Sequence, residues 1–210
     1  MIMNKMPVKI AKAFYRTILL YTPLTVVYMP VNLIFTPFLQ RKSWRELTVV
    51  GEKFGLEYES SPFKTEFGKL TGTIREHNVE VIPDQYRSIS VSFRERKQLN
   101  LSTGKPLMRP TEGLIEFDTD DGEFNSTFRT KHASTEIASR FQSDGNLTRK
   151  IQGFYNNWLW YIDTFKINEF DLICQFNTGQ PFIHYIPASI ADRALTDLLS
   201  LADYLDEQLR

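Results

Sequence analysis

The chain has a single cysteine, Cys174, among its 210 residues. One cysteine excludes an intramolecular disulfide, and a zinc site would need other residue types for most of its ligands. The sequence also lacks a glycine-rich phosphate loop, a Gly-x-Ser-x-Gly turn and histidines at metal-binding spacing. We therefore predict no metal, no cofactor and no catalytic motif, in a protein that stays in a reducing compartment.

An excess of charge of either sign is also missing, because 25 Lys and Arg residues balance 25 Asp and Glu residues. A chain without net positive charge has no field that gathers phosphate backbones, so nucleic acid is not expected as a partner. The charge is unevenly placed, since the first 45 residues carry seven Lys or Arg and no Asp or Glu. That asymmetry favours anionic membrane lipid as the partner of the N-terminal segment.

Residues 17–39 are a run of 23 residues without one charged side chain, and basic residues flank the run on both sides. A straight helix of this length extends roughly 34 Å, which exceeds a hydrocarbon layer of about 30 Å. Three prolines spaced seven residues apart would kink it, because each proline removes a backbone donor. We predict membrane contact, either as a kinked span or as a hairpin that enters and leaves one leaflet. The residues predicted to contact the membrane are Lys5, Lys9, Lys12, Arg16, Tyr21, Pro23, Pro30, Pro37, Arg41 and Lys42.

The basic residues that precede this run recur at helical spacing, so they form one cationic stripe suited to an anionic surface. Basic residues on both flanks favour the cytoplasmic side for both ends. We therefore divide the chain into a membrane-contact segment, residues 1–42, and a single domain, residues 43–210, located in the cytoplasm at the membrane. In an alternative interpretation, the segment is an apolar arm that packs on its own domain or swaps into a neighbouring copy.

The pattern of residues 43–210 predicts an α+β domain, in which an antiparallel sheet of about six to seven short strands follows a capped helix and precedes a long final helix. Ser43 and Glu46 have the spacing of a capping box, and Gly55 is placed to end that first helix. Ser189 is predicted to cap the final helix. Its buried stripe is predicted from apolar residues every three or four positions.

Strands are predicted where apolar residues alternate with polar ones, since alternate side chains of a strand point to opposite faces. Residues 76–78 and 118–123 are interpreted as turns, and residues 96–113 as an irregular connection. The strand-like runs are residues 56–62, 68–75, 79–83, 88–94, 114–117, 124–130, 158–164, 169–176 and 181–186, and two short helices are predicted at residues 134–141 and 147–154.

Two pairs of side chains are candidates for ligand binding. Arg129 and His132 precede a predicted helix start, where an anion would be stabilised by the helix N-terminus. Trp158 and Trp160 would share one face of a predicted strand, either inside the core or as an exposed binding platform. An enzymatic alternative combines Arg129 and His132 with Asp118 in a site assembled from distant residues.

The functional prediction rests on the expected membrane location, because no motif in the sequence identifies a reaction. The preferred hypothesis is a membrane-tethered, non-enzymatic binding or scaffold module, whose partners are membrane lipid and a second membrane-associated protein. One alternative is a hydrolase or transferase with its site around His132. The other is a soluble homo-oligomer with a swapped N-terminal arm.

Overall fold

The computed structural model describes residues 45–59, 68–83, 87–104, 113–177 and 186–210. In these ranges the chain forms five helices and nine strands. The helices are α1 (45–54), α2 (Gly122–Thr127), α3 (Thr135–Ser143), α4 (Gly145–Trp158) and α5 (Ala188–Gln208), and the strands are β1 (Glu57–Glu59), β2 (Lys69–Ile74), β3 (His77–Ile82), β4 (Ser88–Ser92), β5 (Leu99–Ser102), β6 (Ile115–Glu116), β7 (Thr130–Ala133), β8 (Ile162–Ile167) and β9 (Asp171–Phe176).

All nine described strands belong to one sheet, in the order β1-β2-β3-β4-β9-β8-β5-β7-β6. Every neighbouring pair is antiparallel. The first four described strands form a meander, and β9, the last strand among the described residues, joins that meander to β8. The α+β class and the long C-terminal helix are confirmed, with nine strands in place of the predicted six to seven.

Strands β2 and β3 form a tight hairpin in which Ile74 is paired with His77, so two residues turn the chain. Arg75 and Glu76 both have positive φ, 50° and 70°, as in the two-residue turns that match the twist of antiparallel strands. The chain therefore turns at Arg75 and Glu76, earlier than the turn predicted at residues 76–78. His77 instead begins β3, with its side chain fully buried.

Helices cover one face of the sheet, while the other face is more open. In β9, Leu172, Cys174 and Phe176 are buried, and the residues between them are partly exposed. The ring of Phe154 on α4 lies 5.1 Å from the ring of Phe165 on β8, so α4 packs on the buried face. Helix α5 packs beside α4 and against β4. The main core therefore lies between the α4–α5 layer and the middle of the sheet.

The first described helix, α1, matches the predicted helix over residues 45–54. Its Leu47 and Val50 are buried, and the φ of Gly55 is +67°, the left-handed conformation predicted for its end. Ser43, the predicted cap, lies outside the described residues. The cap itself therefore stays a prediction.

Strand β5 corrects the prediction of an irregular connection at residues 96–113. It lies inside the sheet, between β8 and β7. Leu99 and Leu101 are fully buried on either side of Asn100. This alternation covers only three residues, which is too short for periodicity to separate a strand from a loop.

Helix α2 replaces the turn predicted at residues 118–123 and most of the strand predicted at residues 124–130. Oδ1 of Asp121 accepts hydrogen bonds from the amides of Glu123, at 2.9 Å, and Phe124, at 3.0 Å. The aspartate therefore caps a helix start instead of closing a hairpin. Phe124 and Phe128 then stack one helical turn apart, with ring centroids separated by 4.6 Å.

Helices α3 and α4 lie where two short helices were predicted, and Oδ1 of Asp144 caps α4 by accepting from the Asn146 amide at 2.9 Å. The strand predicted at residues 158–164 is present as β8 but starts later, because α4 continues through Trp158 and β8 begins at Ile162. The final helix is confirmed with its buried stripe. Ser189 is not its cap, since Pro187 occupies that position without a side-chain hydrogen bond.

The predicted membrane-contact segment, residues 1–42, lies outside the described residues, as does most of the strand predicted at residues 181–186. Residues 43–210 form one compact unit. Within the described ranges, no helix has both the length and the apolar composition needed to cross a bilayer.

Candidate functional site

The residues of the enzymatic alternative surround strand β7 without converging. Asp118 forms an ion pair with Lys131, with Nζ 3.2 Å from Oδ1, and the Lys131 side chain is nearly buried. His132 is the next residue of the same strand, so its side chain points to the opposite face of the sheet. The charge of Arg129 acts on Tyr155 of α4, where it opposes the rise in the tyrosine pKa that burial causes. The three side chains therefore do not form a shared reaction site.

His132 does not cap the helix that follows it. The hydroxyl of Ser134 caps α3 by accepting from the amide of Ile137 at 3.4 Å. Within the described residues, Nδ1 of His132 is buried without a hydrogen-bond partner. In the sheet, His132 is paired with Asn100 on β5 and Glu116 on β6. Anion binding by Arg129 and His132 stays a prediction.

A buried ionic cluster joins the sheet to helix α5; we define it as His77, Arg94, Lys97, Asp203 and Asp206. The side chains of Lys97 and Asp206 are each 2% exposed, and Nζ lies 2.9 Å from Oδ1. The contact is an ion pair, and Oδ1 accepts no hydrogen bond from a described residue. Oδ2 accepts from the Arg94 amide at 3.1 Å. The cluster thus fixes the last turns of α5 to the segment that follows β4.

His77 is the centre of this cluster, and both of its ring nitrogens face oxygen acceptors. Nδ1 lies 2.7 Å from the carbonyl oxygen of Ser92, and Nε2 lies 3.0 Å from Oδ1 of Asp203. Oδ2 of Asp206, 3.7 Å from Nδ1, adds a second negative charge beside it. The imidazole is held between two aspartates.

Asp203 is the more accessible of those aspartates, with its side chain 25% exposed. Burial alone would raise its pKa, but hydrogen bonds from His77 and Arg75 and the positive charges of His77 and Arg94 outweigh burial. The pKa of Asp203 therefore lies below its ordinary value. The guanidinium of Arg94 also binds Asp203, and it donates to the carbonyl of Arg75 at 3.2 Å.

The two tryptophans of the predicted platform lie in different environments. Trp158 ends α4 in the core at 1% exposure, whereas Trp160, in the following turn, is 63% exposed. The indole nitrogen of Trp158 donates to Asp197 at 2.9 Å, and the Arg193 guanidinium lies 4.9 Å from the indole ring centroid. The prediction that both indoles share one face of a strand is wrong. A binding role for Trp160 stays a proposal.

Trp160 belongs to an exposed apolar turn, which we call the 159–161 tip. Leu159 is 48% exposed and Tyr161 is 42% exposed. The backbone is nevertheless fixed, because the Tyr161 amide donates to the Trp158 carbonyl at 2.8 Å and the Tyr161 carbonyl accepts from Asn177 at 2.6 Å. A hydrogen-bonded turn therefore leaves these three large side chains partly exposed, and the Tyr161 ring also packs edge-on against the buried Trp158, with ring centroids 5.8 Å apart.

Helices α4 and α5 run antiparallel, since Lys150 lies beside Tyr204 and Trp158 lies beside Asp197. They border an open cleft of about 310 Å³. The floor is apolar, from Phe154 and Leu201, and the walls are polar. The lining residues are Arg149, Lys150, Gly153, Phe154, Asn157, Asp197, Ser200 and Leu201.

The charges along this cleft differ from those of the buried cluster. Arg149 donates to the amide oxygen of Asn146 at 3.0 Å, and the Lys150 ammonium lies 5.8 Å from the centroid of the Tyr204 ring. Within the described residues, neither cation has a carboxylate at ion-pair distance, and the same is true of Arg193. The cleft therefore presents cations that can bind an external anion.

Two further candidates take no part in a site. Cys174 is completely buried in β9, and burial raises the pKa of its thiol well above the ordinary value. A thiol with a raised pKa is a poor nucleophile, because the reactive form is the thiolate. In the described ranges, no group of three His, Cys, Asp or Glu side chains is placed to hold a metal ion.

No protein-family model matches the chain. No curated protein sequence matches it either. Among solved structures, the chain is similar to the crystal structure of the mycobacterial trehalose monomycolate transport factor A, TtfA, with a TM-score of 0.45 and 13% sequence identity. The match covers 79% of this chain and 93% of that chain.

Proposed function

We propose that the chain is a membrane-tethered, non-enzymatic binding module, in which residues 1–42 contact the bilayer and the α+β domain binds at its surface. The observation that carries this proposal is the uncharged run of 23 residues at 17–39, set between basic flanks. A soluble chain rarely leaves such a run unburied, whereas a bilayer of about 30 Å accommodates it.

The flanking charges support the same proposal. All seven charged residues among the first 45 are Lys or Arg. Each basic residue close to an anionic leaflet contributes about 1 kcal/mol of attraction, so such flanks would add several kcal/mol to apolar insertion. The proposed arrangement places the domain on the same side of the membrane as these residues.

The chemistry of the domain supports binding over catalysis. Residues that often act in catalysis are engaged in structure: His77 and Lys97 pair with aspartates of α5, and Cys174 is buried. The accessible features of the described residues include a cationic cleft and an exposed apolar turn. Such features suit contact with a ligand or a surface better than acid–base chemistry.

Fractionation of the full chain and of a shortened chain beginning at Gln40 tests this proposal. We expect the full chain in the membrane fraction after salt and alkaline-carbonate washes, and the shortened chain released by salt or already soluble. Full chain in the soluble fraction would overturn membrane tethering and favour the swapped-arm oligomer. Release of the full chain by salt alone would reduce the tether to a peripheral electrostatic contact.

A further inference from the structure

We propose that the domain docks on an anionic bilayer through its α4–α5 side, with Arg149, Lys150 and Arg193 as lipid contacts and the 159–161 tip in the membrane interface. We call these residues the docking face. The inference rests on the proposed function, because a tether would bring the domain to a bilayer. It adds which surface of the domain the lipid meets and which lipid chemistry that surface selects.

The tip has the composition of an interfacial anchor. Tryptophan and tyrosine concentrate where bilayers meet water, because their rings are apolar and their N–H and O–H groups are polar. Trp160 is exposed beside Leu159 and Tyr161, although Trp158, two residues earlier, is buried. The hydrogen-bonded turn fixes the backbone from which these side chains project, so contact with lipid needs no rearrangement of that backbone. A lipid interface would cover all three at once.

Charge complementarity selects an anionic bilayer as the occupant. Arg149 and Lys150 on α4 line the cleft, and Arg193 on α5 lies nearer the tip, with its guanidinium 4.9 Å from the centroid of the Trp158 ring. The one carboxylate that lines the cleft, Asp197, already accepts a hydrogen bond from Trp158. The cleft lining thus carries two cations, Arg149 and Lys150, against one carboxylate, and the exposed Arg193 on α5 adds a third cation beside it.

The cleft gives a lipid headgroup a place to enter. Arg149, Gly153 and Asn157 are spaced four residues apart, so they lie along one side of α4 and lead to the tip. A Cβ at Gly153 would meet nothing within 4 Å, so the groove beside α4 is open at its centre. Arginine suits bidentate phosphate binding, and Asn157 and Ser200 add polar groups. The apolar floor of Phe154 and Leu201 would meet the start of an acyl chain.

Indole quenching by lipid tests the tip. The full-length Trp44→Phe variant retains two indoles, of which Trp158 is 1% exposed and Trp160 is accessible. We expect its fluorescence to be quenched in vesicles of phosphatidylcholine and phosphatidylglycerol with brominated acyl chains. The Trp44→Phe/Trp160→Phe variant should lose that quenching, because the buried indole does not reach lipid.

The outcomes separate this inference from the proposed function. Vesicle-bound Trp44→Phe protein without quenching would overturn the docking face and leave the tether intact. Failure of the full chain to bind vesicles at all would overturn both. Quenching of equal strength in vesicles of phosphatidylcholine alone would overturn the requirement for anionic lipid.

A matched pair of charge variants tests the cations, with Trp160 quenching as the readout. In the Trp44→Phe background, Lys150→Gln should lower the ratio of docked to undocked domain about fivefold, the expected contribution of one basic side chain near an anionic leaflet. Lys166→Gln makes the same charge change on β8, on the sheet face opposite the helices. Lys166→Gln should leave the ratio of docked to undocked domain nearly unchanged. An equal fall of that ratio in both variants would overturn the proposed docking face.

Discussion

Two groups of basic side chains in this domain lie in opposite environments, one paired with aspartates and the other facing solvent. In the buried ionic cluster, Lys97, Arg94 and His77 each contact an aspartate of α5. Along the α4–α5 cleft, Arg149 and Lys150 lie in solvent without a carboxylate at ion-pair distance within the described residues. Both groups lie beside the same helix, α5, so they differ in burial and pairing and not in the helix that they contact.

This contrast distinguishes charges that hold the fold from charges that are available to a ligand. A buried cation must be paired, because removing it from water costs several kcal/mol. An exposed cation contributes little to folding, so it stays available for contacts outside the domain. The same substitution should therefore change stability at one site and lipid contact at the other.

Lys97→Met should produce the largest loss of stability. The change leaves Asp206 buried at 2% exposure without its countercharge, which costs about 3–5 kcal/mol. Urea unfolding followed by circular dichroism measures the loss. Lys150→Met makes the same substitution in the cleft, and its free energy of unfolding should stay within about 0.5 kcal/mol of the parent chain.

The double variant Lys97→Met/Asp206→Leu sharpens this result. Removing both charges eliminates the unpaired carboxylate, so much of the single variant's loss should be recovered. A double variant as unstable as Lys97→Met would show that packing, not the uncompensated charge, determines the cost.

Trp158→Phe should be the next largest change. It removes the indole N–H that donates to Asp197 at 2.9 Å and leaves a smaller ring beneath Arg193. A lost hydrogen bond together with a small cavity predicts a loss of about 1–3 kcal/mol in thermal or urea unfolding. Trp160→Phe is the matched control, and a similar loss there would contradict its solvent-exposed position.

Asp203→Asn tests the electrostatics of the cluster through pH. The carboxylate accepts from His77 and Arg75 and carries a lowered pKa, so its stabilisation is present above the unfolded pKa and is lost as pH falls through the folded pKa. At pH 7 the variant should lose about 1–2 kcal/mol. The difference in the free energy of unfolding between parent and variant should narrow below about pH 4, near the ordinary carboxyl pKa. A gap that is constant with pH would contradict the charged pairing.

Local patterns in the sequence predicted much of this fold, because they depend on neighbouring residues. Alternation identified β3 and β4, and Asp144 marked the break between α3 and α4. Trp158 was misassigned because an aromatic run favours a strand, although packing of α4 extends the helix through it. Propensity is a weak prior wherever tertiary contacts decide the outcome.

The buried cluster could not be predicted in the same way, since His77 and Asp203 are 126 positions apart. One signal was present in α5. Asp206 follows Leu199 and Ala202 at helical spacing, so a carboxylate interrupts a buried stripe. Such an interruption indicates a buried partner without naming it. The cleft left no comparable signal, because it depends on how α4 and α5 pack.

Gly153→Ala should give the smallest change and the only gain in stability. Gly153 lies inside α4, where glycine is less favourable than alanine by about 0.5–1 kcal/mol, and the new Cβ would meet nothing within 4 Å. The free energy of unfolding should therefore rise by about that amount in urea titration. Gly51→Ala is the contrasting helical glycine: its Cβ would lie 3.2 Å from Leu70 and 3.3 Å from the carbonyl oxygen of Leu56, so the gain should shrink or disappear. Equal gains at both positions would show that helix propensity alone decides the result, and a loss at Gly153 would contradict the open groove on which the docking face depends.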